Sequence, residues 1–196
     1  MIITLTDFGV SEYLGVMKGV IYSIVNDAKI VDLYNNVKSH NIREGAWILF
    51  QNYKFFPKES IFLCVIDPGV GTSRKSIIIE TGNYFFVGPD NGLMYPAANE
   101  DKIKRIVSIM HQDNISTTFH GRDVFAVTAA KLEKGINMDN LGEYIHDLKE
   151  LNFFQEARKG EIVRIDKFGN IITNIPSLNK KFYKLNIKDS EYELPF

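Results

Sequence analysis

Short apolar runs of strand length alternate with segments whose apolar positions recur every three or four residues, and this alternation fills most of the first 130 residues. IITLT (2–6) is a β-rich run that stops at Asp7-Phe8-Gly9. Tyr13, Leu14, Met17, Val20, Ile21, Ile24 and Val25 follow at helical spacing and predict a helix over roughly 11–26. KIVDLY (29–34) predicts a second strand. Asn41 and Glu44 have the form of a capping box, so a helix is expected from there to about Asn52. SIFLCVI (60–66) is an apolar run of the kind a parallel sheet buries on both faces.

SIIIE (76–80) and YFFVG (84–88) flank Thr81-Gly82-Asn83, a hairpin signal. Pro89-Asp90-Asn91-Gly92 marks a turn and IKRIVSI (103–109) another strand. Phe119-His120-Gly121-Arg122-Asp123 leads into VFAVTAAKL, a helix of small residues able to pack closely on a sheet. The series predicts a three-layer α/β/α domain over residues 1–155. Within 139–159 the mixed, polar sequence reads as a linker or connecting helix. EIVRID, FGN, IITNI and KLNI then read as short strands and tight turns, so 156–196 is expected to be all-β. About 40 residues are too few to bury a stable core alone. The chain ends at Glu193-Leu194-Pro195-Phe196 without a polar tail, and the second domain is expected to be incomplete as it stands.

Charge narrows the partners. Lys and Arg total 23 against 24 Asp and Glu, for a formal charge of −1, with no basic stripe, which leaves no electrostatic footprint for nucleic acid. The one cysteine, Cys64, lies inside an apolar run, so a disulfide framework is excluded and a reducing compartment is expected. The N-terminus reads as strand and turn rather than a leader, and no apolar stretch reaches the ~20 residues of a membrane span. A soluble, cytoplasmic protein acting on a small molecule is expected, with neither nucleic acid nor membrane as partner.

The chemistry-bearing strings sit at strand ends. Asp67 follows the buried run at a Pro-Gly turn, where open α/β sheets place ligands. It can cap its own turn or serve a reaction. Arg74, seven positions on, can pair with it or lie exposed. Gly69-Val70-Gly71-Thr72 fits neither nucleotide-phosphate template, which leaves a turn able to present N–H donors to a small anion or a polarised water. His40, His111, His120 and His146 show no metal-ligand spacing, so no metal site is expected. His120, beside Gly121 at a helix start, is the catalytic candidate among them, and Phe8, Phe119 and Phe168 can stack on a planar ring. No nucleophile elbow accompanies Asp67, Arg74 and His120, so the attacking group is expected to be water.

TDFG, GVMKGVI, DPGVGTSR, GPDNGL, TFHGRDVFA and D-K-FGN-IITNI occur in one order from residue 2 to about 178. Together these motifs closely resemble the S-adenosylmethionine hydroxide adenosyltransferases, the adenosine-forming S-adenosylmethionine hydrolases, which are related to the fluorinating and chlorinating enzymes of the same substrate. The resemblance implies an N-terminal α/β domain, a C-terminal β-barrel domain and a homotrimer with interfacial active sites. It implies hydrolysis of S-adenosylmethionine to adenosine and methionine with no cofactor.

By the same resemblance Asp67, Arg74 and His120 form the water-activating trio and Asp7 holds the ribose hydroxyls. His40 falls near the ribose, Phe119 on the pocket wall, and Asp166, Phe168 and Asn170 at the methionine and adenosine parts across the interface. Family members run several tens of residues longer, and the missing stretch supplies part of the substrate contacts. A halide-using relative and a non-catalytic adenosine or S-adenosylmethionine binder are the alternatives. A carboxylate at Asp67 disfavours the first, because it would repel the halide.

Overall fold

β1 (Ile2–Thr6) is buried at every position and lies between two parallel neighbours, β2 (Ile30–Tyr34) and β3 (Ile61–Val65). The computed structural model describes residues 1–110, 116–178, 182–187 and 190–195, so His111 lies outside the described residues. The chain divides into two compact units, Met1–Asn152 and Phe153–Phe196.

The first unit is built on a seven-stranded sheet in the order β2-β1-β3-β5-β4-β6-β7. β5 (Phe85–Pro89) runs parallel to β3, whereas β4 (Ser76–Glu80) is antiparallel to both β5 and β6 (Arg105–Ile109). The predicted hairpin over 81–83 therefore forms. Asp101 staples it: Thr81 Oγ1 donates to its carboxylate at 2.6 Å, Asn83 Nδ2 at 2.7 Å and Asn83 N at 2.7 Å. Burial alone would raise the Asp101 pKa, but these bonds and nearby Lys104 outweigh it and hold the carboxyl below its usual range.

Helices cover both faces. On one, Met17 and Ile21 of α1 (Glu12–Ile24) and Ala129 and Ala130 of α4 (Val127–Glu133) pack with Ile2, Leu63, Val87 and Val107. On the other lies α2 (Ile42–Asn52), beside α3 (Tyr95–Glu100). Gly45 lets α2 pack closely, since a Cβ there would come within 2.2 Å of the Ile66 Cδ1 and 2.9 Å of the Leu93 Cδ1, and both side chains would have to move. Phe62 and Phe86 stack at 5.1 Å on this face, each wholly buried. Burial of such a ring contributes roughly 1.5–3 kcal/mol. Asn41 caps α2 through its Oδ1, which accepts from Glu44 N at 3.1 Å; the Glu44 carboxylate receives Lys38 N rather than the Asn41 N–H of a full capping box.

Three local differences from the sequence expectation have physical causes. The stretch read as a linker contains β7 (Gly142–Ile145), an edge strand on β6. Its Gly142 stands so close to the Ser108 carbonyl that any Cβ would collide with it. α3 went unforeseen because it is short, although Pro96 at its start is a helix-initiating signal. The helix after His120 opens as a π-helical turn (Gly121–Ala126) before α4.

In the second unit β8 (Ile162–Ile165) pairs antiparallel with β9 (Ile171–Thr173), and β10 (Phe182–Ile187) with β11 (Ser190–Pro195). An α/β domain is thus followed by a β-rich part.

Candidate active site

The chain leaves β1, crosses through α1 on one face to β2, then returns through α2 on the opposite face to β3. β1 and β3 are parallel neighbours whose connections part to opposite sides, which opens a crevice at their carboxyl ends. Thr6 pairs with Val65, so Asp7 and Asp67 emerge side by side at that edge. A cavity of about 590 Å³ lies there, and Asp7, His40, Asp67, Phe119 and His120 line it.

Asp67 does not cap its turn with its side chain. Val70 N donates to the Asp67 main-chain oxygen at 3.3 Å, and Thr72 N to that of Gly69 at 3.1 Å, so these turn amides are committed locally. The Asp67 carboxylate instead receives Arg74: Nε donates to Oδ1 at 3.0 Å and to Oδ2 at 3.1 Å, and Nη2 also donates to Oδ2. Both side chains are buried, at 7% exposure for Asp67 and 10% for Arg74. Gly71, at φ +78°, lets the loop lie against the next segment of the site, since a Cβ there would stand 2.6 Å from Thr117 O.

Arg74 is fully engaged. A guanidinium carries five N–H donors and no acceptor. Nη1 donates to Ser76 Oγ at 2.7 Å and to Lys75 O at 3.5 Å, and Nη2 approaches His120 Nδ1 at 2.7 Å. With Nε and Nη2 on Asp67, all five have protein partners. The Arg74 guanidinium also lies over the Phe125 ring, 5.3 Å from its centroid. Arg74 therefore acts as a hub between Asp67 and His120 and is not itself part of the cavity lining.

That contact bears on the state of His120. Because Arg74 can only donate, the contact favours Nδ1 as acceptor, and with it the neutral imidazole that carries its proton on Nε2. His120 is presented from the start of the π-helical turn, a feature common at functional sites. Gly121 beside it must be small, because a Cβ would come within 3.0 Å of Phe119, 3.2 Å of Met17 and 3.3 Å of Phe8.

Asp7 Oδ2 accepts from His40 N at 2.8 Å, and His40 takes a left-handed conformation, φ +64°. The aromatic wall is a trio of edge-to-face rings: Phe8–Tyr13 at 5.7 Å, Phe8–Phe119 at 6.0 Å and Tyr13–Phe119 at 5.2 Å. Arg122 covers Phe119 at 5.3 Å and is paired with Asp123, whose carboxyl that arginine holds below its usual range.

Six of the nine residues singled out in the sequence thus form one cluster. The other three belong to the second unit, in the β8–β9 turn. There Asp166 Oδ1 accepts from Phe168 N at 2.8 Å and Asn170 N at 2.9 Å, and Asn170 Nδ2 donates to Asp166 Oδ2 at 2.8 Å. The Asn170 side chain leads the bonds that hold the Asp166 carboxyl below its usual range. Phe168 is 77% exposed. Among the described residues no group of three or more His, Cys, Asp or Glu side chains is arranged to hold a metal ion.

Sequence reasoning missed Ser76, Tyr13 and Arg122. Ser76 was legible in principle, because it stands two residues after Arg74 in an extended segment and so on the same side.

A family model described as SAM hydroxide adenosyltransferase N-terminal domain matches residues 2–142. A (R)-S-adenosyl-L-methionine hydrolase of Methanocaldococcus jannaschii is 46% identical over 89% of this chain, which spans 66% of that protein. One of the same name from Thermus thermophilus is 33% identical over 87% of this chain and 72% of its own. Fluorinases are more distant, with that of Actinopolyspora mzabensis 24% identical. Among solved structures, an uncharacterised conserved protein from Thermotoga maritima superposes with a TM-score of 0.91 at 35% identity, over 98% of this chain and 81% of that one. The chain belongs to the S-adenosylmethionine hydroxide adenosyltransferase family.

Proposed function

We propose that this chain hydrolyses S-adenosylmethionine to adenosine and methionine. Water oxygen attacks C5′ in line with the C5′–S bond, the bonding pair leaves on sulfur, and the proton released by the water passes to the Asp67 carboxylate and on to solvent. The sulfonium departs as a neutral thioether, so neither an acid for the leaving group nor a cofactor is required. The observation that carries the reading is Asp67 and His120 lining one cavity while both are bonded to Arg74.

Asp67 offers carboxylate lone pairs to the water proton. His120, with its proton on Nε2, orients the water as a donor rather than taking its proton at that nitrogen. Arg74 holds the two in register. Such positioning contributes about 7–11 kcal/mol where the geometry is good. Asp7 receives the ribose hydroxyls with His40 beside it, and Phe119 forms part of the wall.

Water is favoured over halide on charge. Asp67 lines the cavity whereas Arg74, which pairs with it, does not, so a halide there would meet the carboxylate oxygens rather than the guanidinium. The sulfonium sulfur is stereogenic, and we assign to this chain the (R) epimer that its relatives' names specify. We assign a homotrimer with interfacial sites, in which Asp166, Phe168 and Asn170 meet the methionine and adenosine parts, and a cytoplasmic location. The exposed Tyr13, Val16 and Tyr22 on α1, of which Tyr13 lines the cavity, support an assembly.

Incubation with each sulfonium epimer, followed by chromatography, tests the reading. Adenosine and methionine in equal amounts are expected from the (R) epimer, undiminished by a chelator. Folded protein that yields neither product from either epimer would overturn it.

A further inference from the structure

We infer that Ser76 is a positioning residue for the Asp67–Arg74–His120 cluster. Its hydroxyl is the strong acceptor at the end of Arg74 opposite the shared Nη2, with Oγ 2.7 Å from Nη1. Ser76 is 1% exposed and opens β4, opposite Pro89 of β5 and one residue before the pairing to β6 begins. Its burial at the start of a central strand holds the anchor in place. Phe125, wholly buried, supports the guanidinium face from below and meets the His120 ring edge-on at 6.5 Å.

The geometry explains why one hydroxyl matters. Nη2 must serve Asp67 Oδ2 and His120 Nδ1 at once, so it tolerates little tilt of the guanidinium plane. Without Ser76 Oγ, Nη1 keeps only the long 3.5 Å contact to Lys75 O. The plane is then free to follow the Asp67 carboxylate, which takes Nε and Nη2 together, and the His120 contact is the one lost. Once Arg74 no longer holds Nδ1 as an acceptor, the preference that this contact gives to the Nε2-protonated tautomer is removed.

The experiment has two arms on the full chain. Nitrogen-15 NMR of the imidazoles reads the His120 tautomer without substrate. The native protein is expected to show Nε2 protonated and Nδ1 bare, Ser76→Ala a mixed population, and Ser76→Thr, which keeps the hydroxyl, the native pattern. The kinetic arm rests on the proposed hydrolysis: Ser76→Ala should lower kcat by roughly 10–100-fold, the worth of one hydrogen bond to a charged group, and leave KM within about twofold.

Native His120 signals and native kcat in Ser76→Ala would overturn the inference, as would equal damage by Ser76→Thr. If the native protein lacks hydrolase activity, the reaction falls while the NMR arm still decides the role of Ser76. Should Ser76→Ala fail to fold, Ser76→Cys, which keeps the volume but weakens the acceptor, carries the same comparison.

Discussion

Arg74 Nη2 lies 2.7 Å from His120 Nδ1 although 46 residues separate them in the chain. The contact joins a loop after β3 to the π-helical turn, and it favours Nδ1 of His120 as an acceptor, with Nε2 the nitrogen left to donate. In the proposed hydrolysis the two cavity-facing groups then have different duties: the carboxylate takes the proton and the imidazole orients.

Removal of the imidazole tests that division. His120→Ala should lower kcat by roughly 10²–10⁴-fold, the range for a positioned acid–base or orienting group, with melting temperature nearly unchanged. Full turnover in steady-state assays would remove His120 from the reaction.

Asp7 is expected to act in binding. Its carboxylate is oriented by His40 N at 2.8 Å and faces the cavity. Asp7→Ala should raise KM by roughly 10–100-fold through lost hydrogen bonds to a charged group, with a smaller effect on kcat. An unchanged KM would place the ribose elsewhere.

Gly71 links two parts of the site. Gly71→Ala forces a left-handed residue at φ +78°, at a backbone cost of about 1–2 kcal/mol, and pushes Cβ onto Thr117 O. Calorimetry should show a lower Tm, and kcat should fall because the Asp67 loop and the segment before His120 are driven apart. Native values of both would contradict the close approach.

Asp101 gives the first unit an acid-sensitive staple. Its folded-state pKa lies below the unfolded one, so the stabilisation is present above the ordinary carboxylate value of about 3.9 and is lost as pH falls through the folded value. Native Tm should drop below about pH 4 more steeply than that of Asp101→Asn, followed by circular dichroism. Parallel curves for the two proteins would show that the 81–83 hairpin draws nothing from this carboxylate.

The strands of the first unit were legible because each is short, apolar and ended by a turn residue. Asp67 was legible as a candidate because it ends a buried strand, where open α/β sheets collect ligands, whereas Asp7 was marked by the family resemblance. The pairing of Arg74 with Asp67 rather than with solvent was open, since they stand seven positions apart in a loop and only the burial of both decides it. The π-helical turn was not legible. GRDVFA has an ordinary helical composition, and nothing in it marks a wide turn. β7 was hidden for the opposite reason, because an edge strand exposes Glu143 and Tyr144 and so reads as polar. The saturation of Arg74 depends on Ser76, a residue with no chemical signal of its own.

Hydrolysis in oxygen-18 water tests the central claim most directly. Attack at C5′ by a water held between Asp67 and His120 places the label in the 5′-hydroxyl of adenosine and leaves methionine unlabelled, as mass spectrometry of the separated products would read. Label in homoserine, with methylthioadenosine as the other product, would put the attack on the amino-acid side of the sulfonium and contradict the assignment.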